Sequence, residues 1–263
     1  MEIRRRQHDA LETAVPGGLA VTEHAVDARD LVKRYGRRTA VDGVTLQIRA
    51  GETFGILGTN GAGKSTAVEM IAGLHRPDGG RVRVLGLDPF ADRAAVRRIL
   101  GVQLQEAMLH DALTCGELVT LYRSFYPDPL SAEEALGMVE LQGMARTSFA
   151  NLSGGQMQRL SIALALIGRP EVVILDELTT GLDPRARRRI WETVEGLERQ
   201  TVILVSHAMD EVERLCDRIA LIDAGRILVQ GTPAEVTAHA GAQSLEEAFV
   251  ALTGREIDAE EAA

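Results

Sequence analysis

Gly58-Thr59-Asn60-Gly61-Ala62-Gly63-Lys64-Ser65 is the stretch that decides how this chain folds. It follows the pattern G-x-x-x-x-G-K-S, a loop whose glycines let backbone N–H groups turn inward around an anion. The apolar run at 54–57 precedes it as a short strand, and a helix is expected from about Gly63 to residue 72. That helix points its positive end at the place the loop encloses. Lys64 adds a point charge for the β- and γ-phosphates of a nucleotide. The Ser65 hydroxyl suits Mg²⁺, and Thr66 follows it in the first helical turn. Lys33 and Lys64 are the only lysines in the chain, whose other basic residues are arginines.

Working outward, residues 172–175 form a second apolar run, followed by Asp176 and Glu177. A strand buried on both faces would carry these carboxylates to the sheet's carboxyl edge, where open α/β sheets bind ligands. Asp176 can hold Mg²⁺ there, and Glu177 can orient and polarise an attacking water. A third run at 202–205 reads the same way. Helices are expected at 156–168 and 183–199. Residues 116–149 read as helix broken by Pro127 and Pro129. Val44, Leu46 and Ile48 alternate as in a half-buried strand, and Val82 and Val84 suggest another. The runs at 219–222 and 227–229 flank Asp223-Ala224-Gly225-Arg226, a hairpin signal. Thr232 before Pro233 reads as a helix start, and Ser244 with Glu247 as a capping box. Strands alternating with helices give an α/β fold with a mainly parallel sheet.

The chain has 263 residues, 45% hydrophobic and 25% charged, which sets aside disordered and fibrous classes. Lys and Arg total 29 against 38 Asp and Glu, a net charge of −9 that argues against broad nucleic-acid binding. Arg185, Arg187, Arg188 and Arg189 therefore read as a solvated helix face. Cys115 and Cys216 show neither metal-ligand spacing nor a disulfide framework and are expected as buried thiols. No run reaches the ~18 apolar residues of a crossing helix. Arg4, Arg5 and Arg6 lack the apolar core of a signal peptide, so residues 1–26 are expected as a flexible arm.

Between the two phosphate-binding elements lies Leu152-Ser153-Gly154-Gly155-Gln156. With that stretch in register, the sequence resembles the ATP-binding cassette (ABC) ATPases of ABC transporters, from about residue 27 to 252. The resemblance implies a P-loop NTPase core of RecA-like type, with an N-terminal antiparallel β part and an inserted helical subdomain at about 107–152. The ATPase domain would span 27–240, followed by a C-terminal helix and acidic tail at 241–263. It also implies ATP and Mg²⁺ as the bound groups. Tyr35 matches the aromatic residue that stacks on adenine. Gly58, Asn60, Gly61, Ala62, Gly63, Lys64, Ser65 and Thr66 match the phosphate loop, and Ser65, Gln105 and Asp176 the Mg²⁺ ligands. Gln105 matches the loop glutamine that signals to the membrane partner, with Gln103 as the alternative register. Ser153, Gly154, Gly155 and Gln156 match the signature that caps the nucleotide of a second subunit. Gly181-Leu182-Asp183 matches the loop that crosses between subunits, so Asp183 joins the nucleotide site. Glu177 matches the catalytic carboxylate and His207 the switch histidine that holds the γ-phosphate. Thr59, Ala107 and Leu178 depart from the pattern, each standing where relatives commonly carry proline.

The stretch 244–255 resembles the end of bacterial exporters of the drug- and antibiotic-resistance type. The expected function is an ATPase that powers export through an integral membrane permease on a separate chain, working as a pair of cassettes, a homodimer, peripheral on the cytoplasmic face of the cell membrane. The rival readings are a non-transport cassette acting in DNA repair or on ribosomes, and a nucleotide-dependent interaction protein with weak hydrolysis. The first lacks its long coiled-coil insertion or second cassette here, and the second rests on Leu178 alone.

Overall fold

Alternating and continuous apolar runs build two different sheets in the computed structural model, which describes residues 23–103, 109–180, 182–197 and 199–254. The alternating runs give the smaller sheet. Strand β1 (His24–Tyr35) pairs antiparallel with β2 (Arg38–Arg49) on one edge and with β4 (Gly79–Val84) on the other. Val44, Leu46 and Ile48 of β2 are buried while Thr45, Gln47 and Arg49 are not, as a period of two requires. β1 starts at His24, before the expected arm ends at residue 26, and residues 1–22 lie outside the described residues.

The continuous runs give the larger sheet. It comprises β3 (Thr53–Leu57), β5 (Leu100–Gln103), β6 (Val172–Asp176), β7 (Thr201–Val205), β8 (Arg218–Asp223) and β9 (Arg226–Gly231). The order is β5-β6-β7-β3-β8-β9, parallel except for β9, which returns antiparallel on β8 through the hairpin at Ala224-Gly225. Every residue of β6 and β7 is buried. Val172 and Ile174 pack toward the smaller sheet, and Val173 and Leu175 toward the helices on the opposite face. Burying each such side chain contributes about 1.5–3 kcal/mol relative to exposure.

Helix α1 (Lys64–Ile71) packs between the two sheets, and α2 (Arg93–Ile99) leads directly into β5. The other face carries α3 (Cys115–Arg123), α4 (Ala132–Met138), α5 (Gly154–Leu166), α6 (Pro184–Glu195) and α7 (Met209–Leu215), then α8 (Pro233–His239) and α9 (Leu245–Thr253). Pro127 and Pro129 fall in the connection between α3 and α4, which they break as expected. α5 starts and ends two residues before the expected 156–168, and α6 stops at Glu195, short of 199. The Thr232 capping box forms with Glu235. At α9 only half of the expected box forms. Ser244 accepts the Glu247 N–H, but the Glu247 carboxylate accepts from Gln243 N–H. Both cysteines are free and buried, and burial pushes each thiol upward, which keeps them neutral packing groups. Among the described residues, no helix is long and apolar enough to cross a membrane.

Candidate active site at the carboxyl edge of three strands

Three neighbouring strands of the larger sheet, β6, β7 and β3, end side by side. Their exits carry Asp176 and Glu177, then Ser206 and His207, then the loop from Gly58 to Ser65. Continuous burial on both faces fixes the strands, so the polar residues must follow where the apolar run stops. Asp176 is the last residue of β6, and its N–H donates to Gln103 Oε1 at 3.1 Å. Gln103 therefore occupies this edge, on β5. Gln105, the expected ligand, lies outside the described residues, as do Ala107 and Gly181.

The loop is braced from several sides. Lys64, 5% exposed, donates from Nζ to the Gly58 carbonyl at 2.9 Å and to the Thr59 carbonyl at 3.0 Å. Gly225 N–H donates to the Ala62 carbonyl at 2.8 Å, and an Arg38 guanidinium nitrogen to the Gly61 carbonyl at 2.7 Å. Gly63 precedes the helix at φ 103°, and any Cβ there would run into the Ala40 carbonyl oxygen. Glycine is thus required both by conformation and by the closeness of β2. The Gly63 N-cap provides no side-chain acceptor, so the first turn of α1, with Ser65 and Thr66, presents its N–H groups to an anion. Asn60 and Gly61 are exposed at the tip and Ala62 is buried beneath it.

Glu177 continues past β6 with φ 51°, a left-handed conformation rare for a residue with a long side chain. Its N–H donates to the Val205 carbonyl at 2.9 Å, which draws the end of β6 onto the end of β7. Leu178, 1% exposed, sits in the helical-face core and anchors the turn from behind. Its apolar side chain does not displace the carboxylate from the edge. Glu177 Oε1 lies 3.9 Å from His207 Nδ1. That nitrogen is buried and has no hydrogen-bond partner among the described residues.

Asp176 is the electrostatic anomaly of the site. Burial raises its pKa, the neighbouring Glu177 charge raises it further, and Lys64 opposes both, leaving it pushed up to about 6. Its Oδ1 is buried without a hydrogen-bond partner. A buried carboxylate oxygen without a partner, within electrostatic reach of Lys64, fits a divalent cation, and Ser65 in the first turn of α1 would be a second protein oxygen for it. Among the described residues no group of three His, Cys, Asp or Glu could hold a metal alone. That suits Mg²⁺, which takes one or two protein ligands and completes its shell with phosphate and water.

The remaining expected residues fall outside this cluster. Tyr35 ends β1 with 46% of its surface exposed, its ring edge-on to His75 at 6.4 Å and under Lys33 Nζ at 5.6 Å. Ser153 caps α5 in a reciprocal box with Gln156, and Gly154 and Gly155 form the first turn. Their polar groups bond within that turn, not to the phosphate loop. Asp183 caps α6 by accepting from the Arg185 and Ala186 N–H groups. Arg187 and Arg189 of the basic cluster pair with Asp210 and Glu140, and Arg187, stacked over Trp191 with its Nε buried, departs from the solvated face expected of the cluster. Nothing in the local sequence ties Arg38, or the hairpin glycine Gly225, to the loop they brace, since each reaches it across long sequence separation.

A family model described as "ABC transporter" matches residues 41–180. The chain is 39% identical over 232 residues to the Nod factor export ATP-binding protein I of Rhizobium meliloti (strain 1021), covering 85% of this chain and 68% of that protein. It is 40% identical over 228 residues to the daunorubicin/doxorubicin resistance ATP-binding protein DrrA of Streptomyces peucetius, covering 84% and 69%. Among solved structures it is similar to the dimeric, post-hydrolysis ATP-binding cassette MJ0796 bound to ADP and Pi. The TM-score is 0.71 at 28% identity, covering 79% of this chain and 98% of that one.

Proposed function

This chain belongs to the ABC transporter family as an ATPase subunit, and from that premise we propose that it powers export of a small molecule through a membrane permease on a separate chain. The observation that carries the reading is the convergence of the Lys64 loop, the Asp176–Glu177 pair and His207 at one sheet edge. The export assignment rests on the relatives, whose names are those of a Nod factor exporter and a drug-resistance protein.

In this reading ATP lies with its phosphates on the loop and its adenine against Tyr35. Lys64 exchanges the Gly58 and Thr59 carbonyls for phosphate oxygens, a charge-assisted contact stronger than the one it gives up. Ser65 and Asp176 would hold Mg²⁺, with Gln103 at the same edge or Gln105 as the resemblance implies, and the ion would supply neutralisation of phosphate charge. Glu177 accepts a proton from the attacking water, and His207 donates to the γ-phosphate from the neighbouring strand end. Ser153 to Gln156 and Asp183 face the nucleotide of a second copy. That fits their own closed hydrogen bonding here and the dimeric state of the related cassette.

The experiment is phosphate release by the purified chain with MgATP, alone and with its permease in vesicles. Stimulated hydrolysis together with outward movement of a cargo compound supports the reading. Hydrolysis that the permease never alters would count against export, and no hydrolysis in either setting would count against the site.

A further inference from the structure

Glu211 is a fully buried carboxylate, 0% exposed, that the reaction above does not use. It forms no ion pair among the described residues; both of its oxygens accept from neutral donors. Ser206 Oγ donates to Oε2 at 2.6 Å, and the Trp191 indole N–H donates to Oε1 at 3.1 Å. The Ser206 hydroxyl in turn accepts the Ala208 N–H at 3.0 Å, and Ser206 N–H donates to the Ile56 carbonyl of β3 at 3.2 Å. These bonds bracket His207 on both sides.

Burying a carboxylate without a bonded cation is costly, and an apolar residue would serve the packing of α6 on α7 better. What the carboxylate does that an apolar residue cannot is hold the Ser206 proton. With that proton fixed, the hydroxyl's lone pairs are turned to Ala208, and the backbone of the 206–208 turn is set. The same turn places His207 Nδ1 3.9 Å from Glu177 Oε1. Around this centre, Arg187 pairs with Asp210 and Arg214 with Glu195, so α6 and α7 are joined at three points.

We propose that Glu211 is a positioning residue for ATP hydrolysis, acting through Ser206 to hold His207 at the γ-phosphate, with Trp191 anchoring the carboxylate to α6. This rests on the role given to His207 above. Glu211→Gln keeps an acceptor for Trp191 but turns an N–H toward Ser206, whose own proton then has no acceptor. Ser206→Ala cuts the same link with a smaller change of volume.

The test measures kcat, KM for MgATP, ATP affinity and the thermal unfolding midpoint for wild type, Glu211→Gln, Ser206→Ala and His207→Ala. Both link variants are expected to lose about tenfold or more in kcat while KM moves by less than about threefold, the signature of an interaction made at the transition state. ATP affinity of Ser206→Ala should stay near wild type, while its unfolding midpoint falls because the buried Glu211 Oε2 loses its donor. If Glu211→Gln fails to fold, Ser206→Ala decides alone. Wild-type kcat in the link variants beside an inactive His207→Ala overturns this inference and leaves the role of His207 standing. Parallel loss of ATP affinity, unfolding midpoint and kcat overturns it in favour of packing. Wild-type hydrolysis by His207→Ala overturns the role of His207, and this inference with it.

Discussion

Glu177 Oε1 and His207 Nδ1 stand 3.9 Å apart because the Glu177 N–H is bonded to Val205, two residues before the histidine. The pair spans two strand ends, so water and γ-phosphate can be gripped from adjacent directions. Glu177→Gln is nearly isosteric but cannot take a proton. It should retain ATP and slow single-turnover hydrolysis by about 10²–10⁴-fold. Because bound ATP then persists, dimers should accumulate in analytical ultracentrifugation with MgATP. Wild-type turnover in this variant would remove Glu177 from the role of base.

Asp176 gives a pH dependence whose sign is fixed by its raised pKa. The folded value, about 6, lies above the ordinary 3.8, so the folded state binds the proton more tightly than the unfolded one. The stabilisation is therefore complete below pH 3.8 and is lost as pH rises through 6. The two-unit difference corresponds to roughly 3 kcal/mol. In EDTA and without nucleotide, Asp176→Asn should be more stable than wild type at pH 7.5, with the gap closing toward pH 4. Urea titrations across that range measure it. A gap that does not change with pH would refute the assignment of this titration to Asp176.

Lys64→Ala removes a charge that the loop itself keeps close, on the Gly58 and Thr59 carbonyls. ATP affinity by titration should fall about 100-fold or more, the loss expected for charge-assisted bonds to phosphate. Retained affinity would mean that the backbone nest suffices without it.

Ser153 carries two separable contributions. Its capping box on α5 predicts that Ser153→Ala loses about 1 kcal/mol in urea unfolding of the monomer. Its proposed place across the dimer predicts, in addition, weaker ATP-dependent dimers in the Glu177→Gln background. A stability loss with unchanged dimerisation would confine Ser153 to the cap.

The legible parts of the site were those written in one short stretch. The phosphate loop needs its glycines and lysine in eight consecutive residues, and Asp176 and Glu177 follow an apolar run of strand length. The capping Ser and Thr residues announce α5 and α8 for the same reason. α2 and β5 carry no legible signal because they are seven and four residues long, and α2 buries only Val96, too little to set a period. Glu211 belongs to no motif, and the seven-residue helix that carries it has no periodic signal of its own. Its burial depends on α6 packing over it, twenty residues away at Trp191, and local sequence holds no trace of that. The left-handed backbone of Glu177 was hidden likewise, being imposed by Val205 and the buried Leu178.

Trp191 is the chain's single tryptophan. Its indole N–H rests on Glu211, and the guanidinium carbons of Arg187 and Arg214 lie 5.1 and 5.0 Å from its ring centre. Indole emission responds to nearby charge and to the hydrogen bond at its nitrogen. The molecule thus contains a native optical probe at the junction of α6 with the turn that carries His207. Fluorescence of the unlabelled protein, followed after rapid mixing with nucleotide, reads the geometry of that junction in real time, free of background from any other tryptophan.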